Sequence, residues 1–152
     1  WRNPEDADVG RFMRLFTDRR WEKLLFADIS ALIQINRCGR PLREMLLSKD
    51  LHARLVNGSD YPLPAIDPMV STSSLVDHGY ITAEERELLN AIFEANPLLF
   101  DFCVKRSVKV EYRSATHSFS PAVFQTSWLF DGHGRSSQAP VGSGLATRSK
   151  PA

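Results

Sequence analysis

The residues that could do chemistry in this chain are few, and the clearest is Asp60. It sits in Arg54-Leu55-Val56-Asn57-Gly58-Ser59-Asp60-Tyr61-Pro62-Leu63-Pro64. Leu55 and Val56 make a short apolar run that suits a buried strand. Gly58 lets the backbone turn or approach another group closely. Pro62 and Pro64 have no N–H for a ladder and stop the strand. Asp60 therefore stands at the C-terminal end of a strand, where catalytic groups of α/β proteins collect. Gly, Ser, Asp and Pro are also ordinary turn residues, so a plain turn is the alternative.

A second carboxylate, Asp28, interrupts the apolar run Leu24-Leu25-Phe26-Ala27-Asp28-Ile29-Ser30-Ala31. An isolated buried charge is very costly, so Asp28 must be paired, coordinated or at the strand's end. It is assigned with Ser30 to the mouth of the sheet. There it either accepts hydrogen bonds from loop N–H groups or supports a site. The four histidines offer less. His52 precedes the central strand and reads as a surface residue. His78 falls in the last turn of a short helix. His117 has no motif around it, and His133 lies in a polar tail. Cys38 and Cys103 have no Cys-x-x-Cys spacing, which implies unpaired thiols in a reduced, cytoplasmic setting. Cys103, with no histidine near it in sequence, reads as a small core residue.

The elements that must position these residues follow from periodicity. Asn3-Pro4-Glu5-Asp6 starts a helix, with Asn3 as cap. Val9, Phe12, Met13 and Phe16 give it an apolar stripe. The run at 24–31 suits a parallel strand buried on both faces. Pro41 opens a helix with Leu42, Met45 and Leu46 on one face. Strand, helix, strand over 24–58 is a βαβ unit, which implies a parallel sheet. A loop from Pro64 into a Ser/Thr-rich patch is a plausible pocket wall. Leu75–Ile81 reads as a short helix ending at Gly79. Thr82-Ala83-Glu84-Glu85 is a capping box. The helix behind it runs to about Ala95, with Leu88, Leu89, Ile92 and Phe93 inward. Asn96-Pro97 opens another, with Leu98, Leu99, Phe102 and Cys103 as its apolar side. Lys105 to Trp128 reads as a β-hairpin or an extended arm. The stretch from Asp131 on is too poor in apolar residues to order itself and reads as a disordered tail. There are no internal repeats, so the division is 1–130 and 131–152.

Composition excludes little. The chain has 152 residues, ordinary apolar and charged fractions and a net charge of +1. That charge gives no electrostatic argument for nucleic acid or a membrane surface. No stretch reaches the roughly 18 apolar residues of a membrane span, and no signal peptide is visible.

The stretch Leu55-Val56-Asn57-Gly58-Ser59-Asp60-Tyr61-Pro62 resembles the last barrel strand of the amidohydrolase superfamily, the metal-dependent hydrolases on (β/α)8 barrels. Leu24–Ala31 and Asn96-Pro97-Leu98-Leu99-Phe100-Asp101-Phe102 resemble one subgroup of it, in the same order along the chain. The resemblance implies an α/β fold: about the last two βα units of a (β/α)8 TIM barrel, plus a C-terminal arm and tail. A whole barrel needs about 250 residues. The chain also begins at Trp1, so it reads as a C-terminal piece of a longer enzyme. The resemblance further implies that Asp60 contacts a divalent metal, most simply zinc, and accepts a proton from its bound water. Ser59 and Tyr61 would face a small-molecule substrate, with Asp28 and Ser30 beside them. The superfamily's His-x-His strand has no counterpart here, and one carboxylate cannot hold a catalytic zinc. The chain alone is therefore expected to bind no metal and be inactive. Its unpaired strand edge would be open to association with another copy. The alternatives are a metal-dependent decarboxylase of the same barrel type and a non-enzymatic α/β module binding a partner through its Leu/Phe faces.

Overall fold

The computed structural model describes residues 4–66 and 69–127. The expected Asn3 cap and the expected tail at 131–152, with His133, lie outside the described residues. The fold is mixed, with helices outnumbering short strands. In chain order the elements are α1 (Pro4–Phe16), β1 (Ala27–Asp28), α2 (Arg40–Leu47), β2 (Leu55–Val56), α3 (Thr72–Asp77), α4 (Ala83–Ala95), α5 (Pro97–Ser107), β3 (Lys109–Tyr112) and β4 (Ala115–Ser118). Single 3-10 turns fill Arg19–Trp21, Lys49–Arg54, Leu63–Ala65 and Pro121–Phe124.

The stripe on α1 works as its spacing predicts. Phe16 is fully buried and Met13 packs on the core. Phe12 stacks on Phe16 at 5.2 Å between ring centroids. Arg54 lays its guanidinium over the Phe16 ring at 4.3 Å and donates to the Phe16 carbonyl. This anchors α1 to the residue that leads into β2.

β1 and β2 pair in parallel, Ala27 with Leu55 and Asp28 with Val56. The Ile29 N–H continues the ladder to the Val56 carbonyl at 3.0 Å. The parallel βαβ order is as the apolar runs predict, but the strands are shorter. The expected eight-residue strand at 24–31 contracts to two residues, because the chain turns on both sides of them. The expected barrel portion is corrected to this extent: among the described residues there are two parallel strands and a separate hairpin, with no closed barrel. Beyond β2, the Asn57 N–H donates to the Val123 carbonyl at 3.1 Å. A returning 3-10 turn thus takes the place a third strand would hold.

The core gathers Ile29, Ile33, Leu42, Leu46 and Leu55 with Leu75, Phe100, Val104, Val108 and Val123. Two expected faces are corrected. On α4, Leu89 is buried and Ile92 and Phe93 pack on the core as expected, but Leu88 is 68% exposed. On α5, Leu98, Leu99 and Phe102 face outward, and the buried side is Phe100, Asp101, Val104 and Lys105. The helix is rotated because its only acid and its first base pair with each other inside the protein. β3 and β4 form the expected hairpin. Arg113 and Ser114 at its turn both have positive φ. Among the described residues no helix is long and apolar enough to cross a membrane.

Candidate functional site

The site is built where β1 and β2 end. Asp28 closes β1, and its Oδ1 accepts from the Ser30 N–H at 2.8 Å and the Gly58 N–H at 2.9 Å. This satisfies the carboxylate with backbone donors from its own turn and from the exit of β2. The approach is tight: a Cβ at position 58 would stand 2.3 Å from Asp28 Oδ2. Glycine is needed there because any side chain would strike the carboxylate.

The other side of the same peptide is held by α5. Lys105 Nζ donates to the Gly58 carbonyl at 2.6 Å and to Asp101 Oδ2 at 2.7 Å. Both charged side chains are buried, at 0% and 2% exposed. Burial pushes the Asp101 carboxyl up and the Lys105 ammonium down, each opposed by the attraction of its partner. The charges of Asp28 and Asp60 also act on both groups. Asp101 is paired with Lys105, while Asp28 and Asp60 bring two further carboxylates to the strand ends. Asp101 Oδ1 and Asn57 Oδ1 are buried with no hydrogen-bond partner among the described residues.

Asp60 follows two residues after Gly58 with φ +52°, a left-handed conformation that Asp tolerates better than most residues. Its carboxylate is exposed and takes a long hydrogen bond, 3.4 Å, from the Gln34 amide. Its carbonyl accepts from the Leu63 N–H at 3.0 Å. Ser59 Oγ accepts from the Tyr61 N–H at 3.3 Å, and the Tyr61 ring is 60% exposed. The structure thus gathers Asp28, Ser30, Ser59, Asp60 and Tyr61 at one end of the strand pair.

Beside them a cavity of about 500 Å³ runs under α1. Val9, Phe12, Leu32 and Met45 make apolar wall, and Asp8, Asp28 and Arg37 place charges of both signs in its lining. The sequence reading missed Arg37, which it left in an unassigned loop, and missed Asp101 and Lys105. The signal for the last two was an acid and a base four apart in an otherwise apolar helix.

His52 was expected at the surface and is instead 3% exposed. One ring nitrogen bonds the Met45 carbonyl at 2.8 Å, and the other accepts from the Ser120 N–H at 3.1 Å. Nε2 therefore carries the proton and Nδ1 the lone pair. His78 hydrogen-bonds the Ser74 carbonyl at 2.8 Å, in the helical-turn role its position suggested. Neither stands with the strand-end carboxylates.

A zinc centre does not fit these residues. Zinc sites take about three protein ligands or more. Among the described residues no three His, Cys, Asp or Glu side chains stand where they could share one ion. Asp60 is a single donor.

What fold and site define is a mixed α/β segment with a parallel strand pair and acidic strand ends. Its similarity to known proteins is confined to a short stretch. The chain is 46% identical over 44 residues to a tyrosine–tRNA ligase of Rhodospirillum rubrum. It is 48% identical over 46 residues to tyrosine–tRNA ligases of two Caulobacter vibrioides strains. In each case the match covers 29% of this chain and 10% of the relative, so the chain spans about a tenth of the relatives' length. No family model matches, and no solved structure matches.

These relatives overturn the amidohydrolase resemblance. The relatives it matches are tRNA ligases, not metal-dependent hydrolases. The hydrolase assignment, its decarboxylase variant and the role of Asp60 as a metal-held base fall with it. The geometry shows why the motif misled. Gly58, Asp60 and Pro62 meet the needs of a strand that must end in a tight turn against a carboxylate, and those needs are not specific to one superfamily.

Proposed function

We propose that the chain contributes a binding site for a small zwitterion of the amino-acid class, in the cavity beside the ends of β1 and β2. The observation that carries this is the cavity lining: apolar walls with two carboxylates, Asp8 and Asp28, and a guanidinium, Arg37. Asp28 would take the ligand's ammonium. Its Oδ1 is occupied by two N–H groups, which leaves Oδ2 for a donor. Arg37 would take the carboxylate, and Val9, Phe12 and Met45 an apolar side chain. Asp60 adds negative charge at the same strand ends, with Ser30, Ser59 and Tyr61 around it. The cavity lies within the roughly 300–1,000 Å³ usual for small-molecule sites. Ligands of open α/β sheets bind outside the carboxyl ends of strands.

Tyrosine, the amino acid in the relatives' name, belongs to this class and is the natural probe. The net charge of +1 lends no support to extending the reading to tRNA. Two finer readings accompany it. The strands β1 and β2 belong to a larger parallel sheet, an idea supported by their brevity and parallel pairing. The free thiols of Cys38 and Cys103 favour a reduced, cytoplasmic setting.

The test is titration of the isotope-labelled chain with L-tyrosine, tyramine and 3-(4-hydroxyphenyl)propionate. Saturable shifts at Asp28 and Arg37 are expected with L-tyrosine, and weaker binding with each analogue lacking one charge. Asp28→Asn should lower L-tyrosine affinity by about tenfold, the worth of one charge-assisted hydrogen bond. No saturable shift with any of the three would overturn the proposal.

A further inference from the structure

Lys105 brings a charge into the core that packing does not require. A methionine has nearly its volume and no ammonium to desolvate, and buried ion pairs are often replaceable by apolar residues without loss of stability. What an apolar side chain cannot do is hold the Gly58 carbonyl, which Lys105 Nζ reaches at 2.6 Å. On the opposite face of the same residue, the Gly58 N–H is held by Asp28. Gly58 is thus clamped between an ammonium from α5 and a carboxylate from β1. The absence of a Cβ is what lets the Asp28 carboxylate close on it. Two residues later stands Asp60, in a left-handed conformation. Asp101, also buried, holds Lys105 from the adjacent turn of its own helix.

We infer that Lys105 is a positioning residue: by holding the Gly58 carbonyl it fixes the exit of β2, and with it the placement of the Asp28 and Asp60 carboxylates. The inference deepens the zwitterion-site reading and rests on it for its functional meaning. Its geometric content can be tested separately.

The variant to make is Lys105→Met with Asp101→Leu. It removes both buried charges together, so no uncompensated ion is left behind. Amide hydrogen exchange on the full chain gives the decisive readout. The Gly58 and Ser30 amides, whose acceptor is Asp28 Oδ1, should exchange about tenfold faster than in the parent chain. The Ser48 and Tyr80 amides, bonded to the Glu44 and Leu75 carbonyls, should keep their rates. A merely structural role would move all four together, and either that result or unchanged protection at Gly58 and Ser30 overturns the inference. Should the paired variant not fold, Lys105→Met with Asp101→Asn serves. It too removes both buried charges and keeps the shape of Asp101, so the Gly58 and Ser30 amides must lose protection, and unchanged protection there overturns the inference. L-tyrosine titration then separates the two readings. Binding by the parent chain, weakened about tenfold in the folded paired variant, supports both. Equal binding by the two overturns the positioning role. No binding by the parent removes the zwitterion site, while the exchange result still decides what Lys105 does.

Discussion

At the scale of single residues, two positions carry the sharpest consequences. Gly58→Ala puts a Cβ 2.3 Å from Asp28 Oδ2, so either the carboxylate or the strand exit must move. The expected cost is about 1–3 kcal/mol, as for other forced overpacking, read as a lower midpoint in chemical denaturation. His52 sets a pH dependence. Burial, chiefly, holds its pKa below the ordinary value of 6.5, despite the hydrogen bond with the Met45 carbonyl. The unfolded chain therefore binds the proton first as pH falls. Stability should be fully present above pH 6.5 and decline below it, until the folded state's own lower pKa is reached. A proton on Nδ1 would also displace the Ser120 N–H. Melting temperatures measured from pH 7.5 to 5.5 should fall in the parent chain. They should fall less steeply in His52→Gln, and equal slopes would contradict the assignment.

At the scale of elements, the helix starts are the most modular features. In α4, Thr82 Oγ1 accepts from the Glu85 N–H at 3.1 Å, and Glu85 returns the favour to the Thr82 N–H at 2.8 Å. Thr82→Ala should cost about 1 kcal/mol, seen as a drop of several degrees in melting temperature. This capping box was legible in the sequence because both partners lie within four residues. The stripe of α1 and the parallel pairing of β1 with β2 were legible for a related reason: apolar runs report burial whatever they pack against. The α5 face was not. Leu98, Leu99 and Phe102 look like the inner side until Lys105, paired with Asp101, is known to have the Gly58 carbonyl as a destination, 47 residues away. His52 was misread on the same ground, since one of its partners is 68 residues distant. Asp60 and Asp28 were found as candidates because strand-end carboxylates stand out locally. The cavity beside them was not legible, because it forms only when α1, Arg37 and Met45 are brought onto the strand pair.

At the scale of the whole molecule, the stretch 52–58 is pinned from both directions. Arg54 reaches back to Phe16, while His52 and Asn57 are held by Ser120 and Val123. The last segment also buries Phe119 and Val123. A chain ending at Ser118 should lose about 1.5–3 kcal/mol for each of those side chains and leave two polar groups at 52 and 57 without partners. It should bind a hydrophobic dye that the parent chain does not, and an unchanged melting curve would show the turn at 121–124 to be dispensable. The same clasp bears on how the protein is made. Synthesis delivers residues in order, at about 5–20 per second. β2 and the turn carrying Asp60 therefore leave the ribosome several seconds before their last supports exist. The acidic strand ends are translated before the segment that makes them rigid.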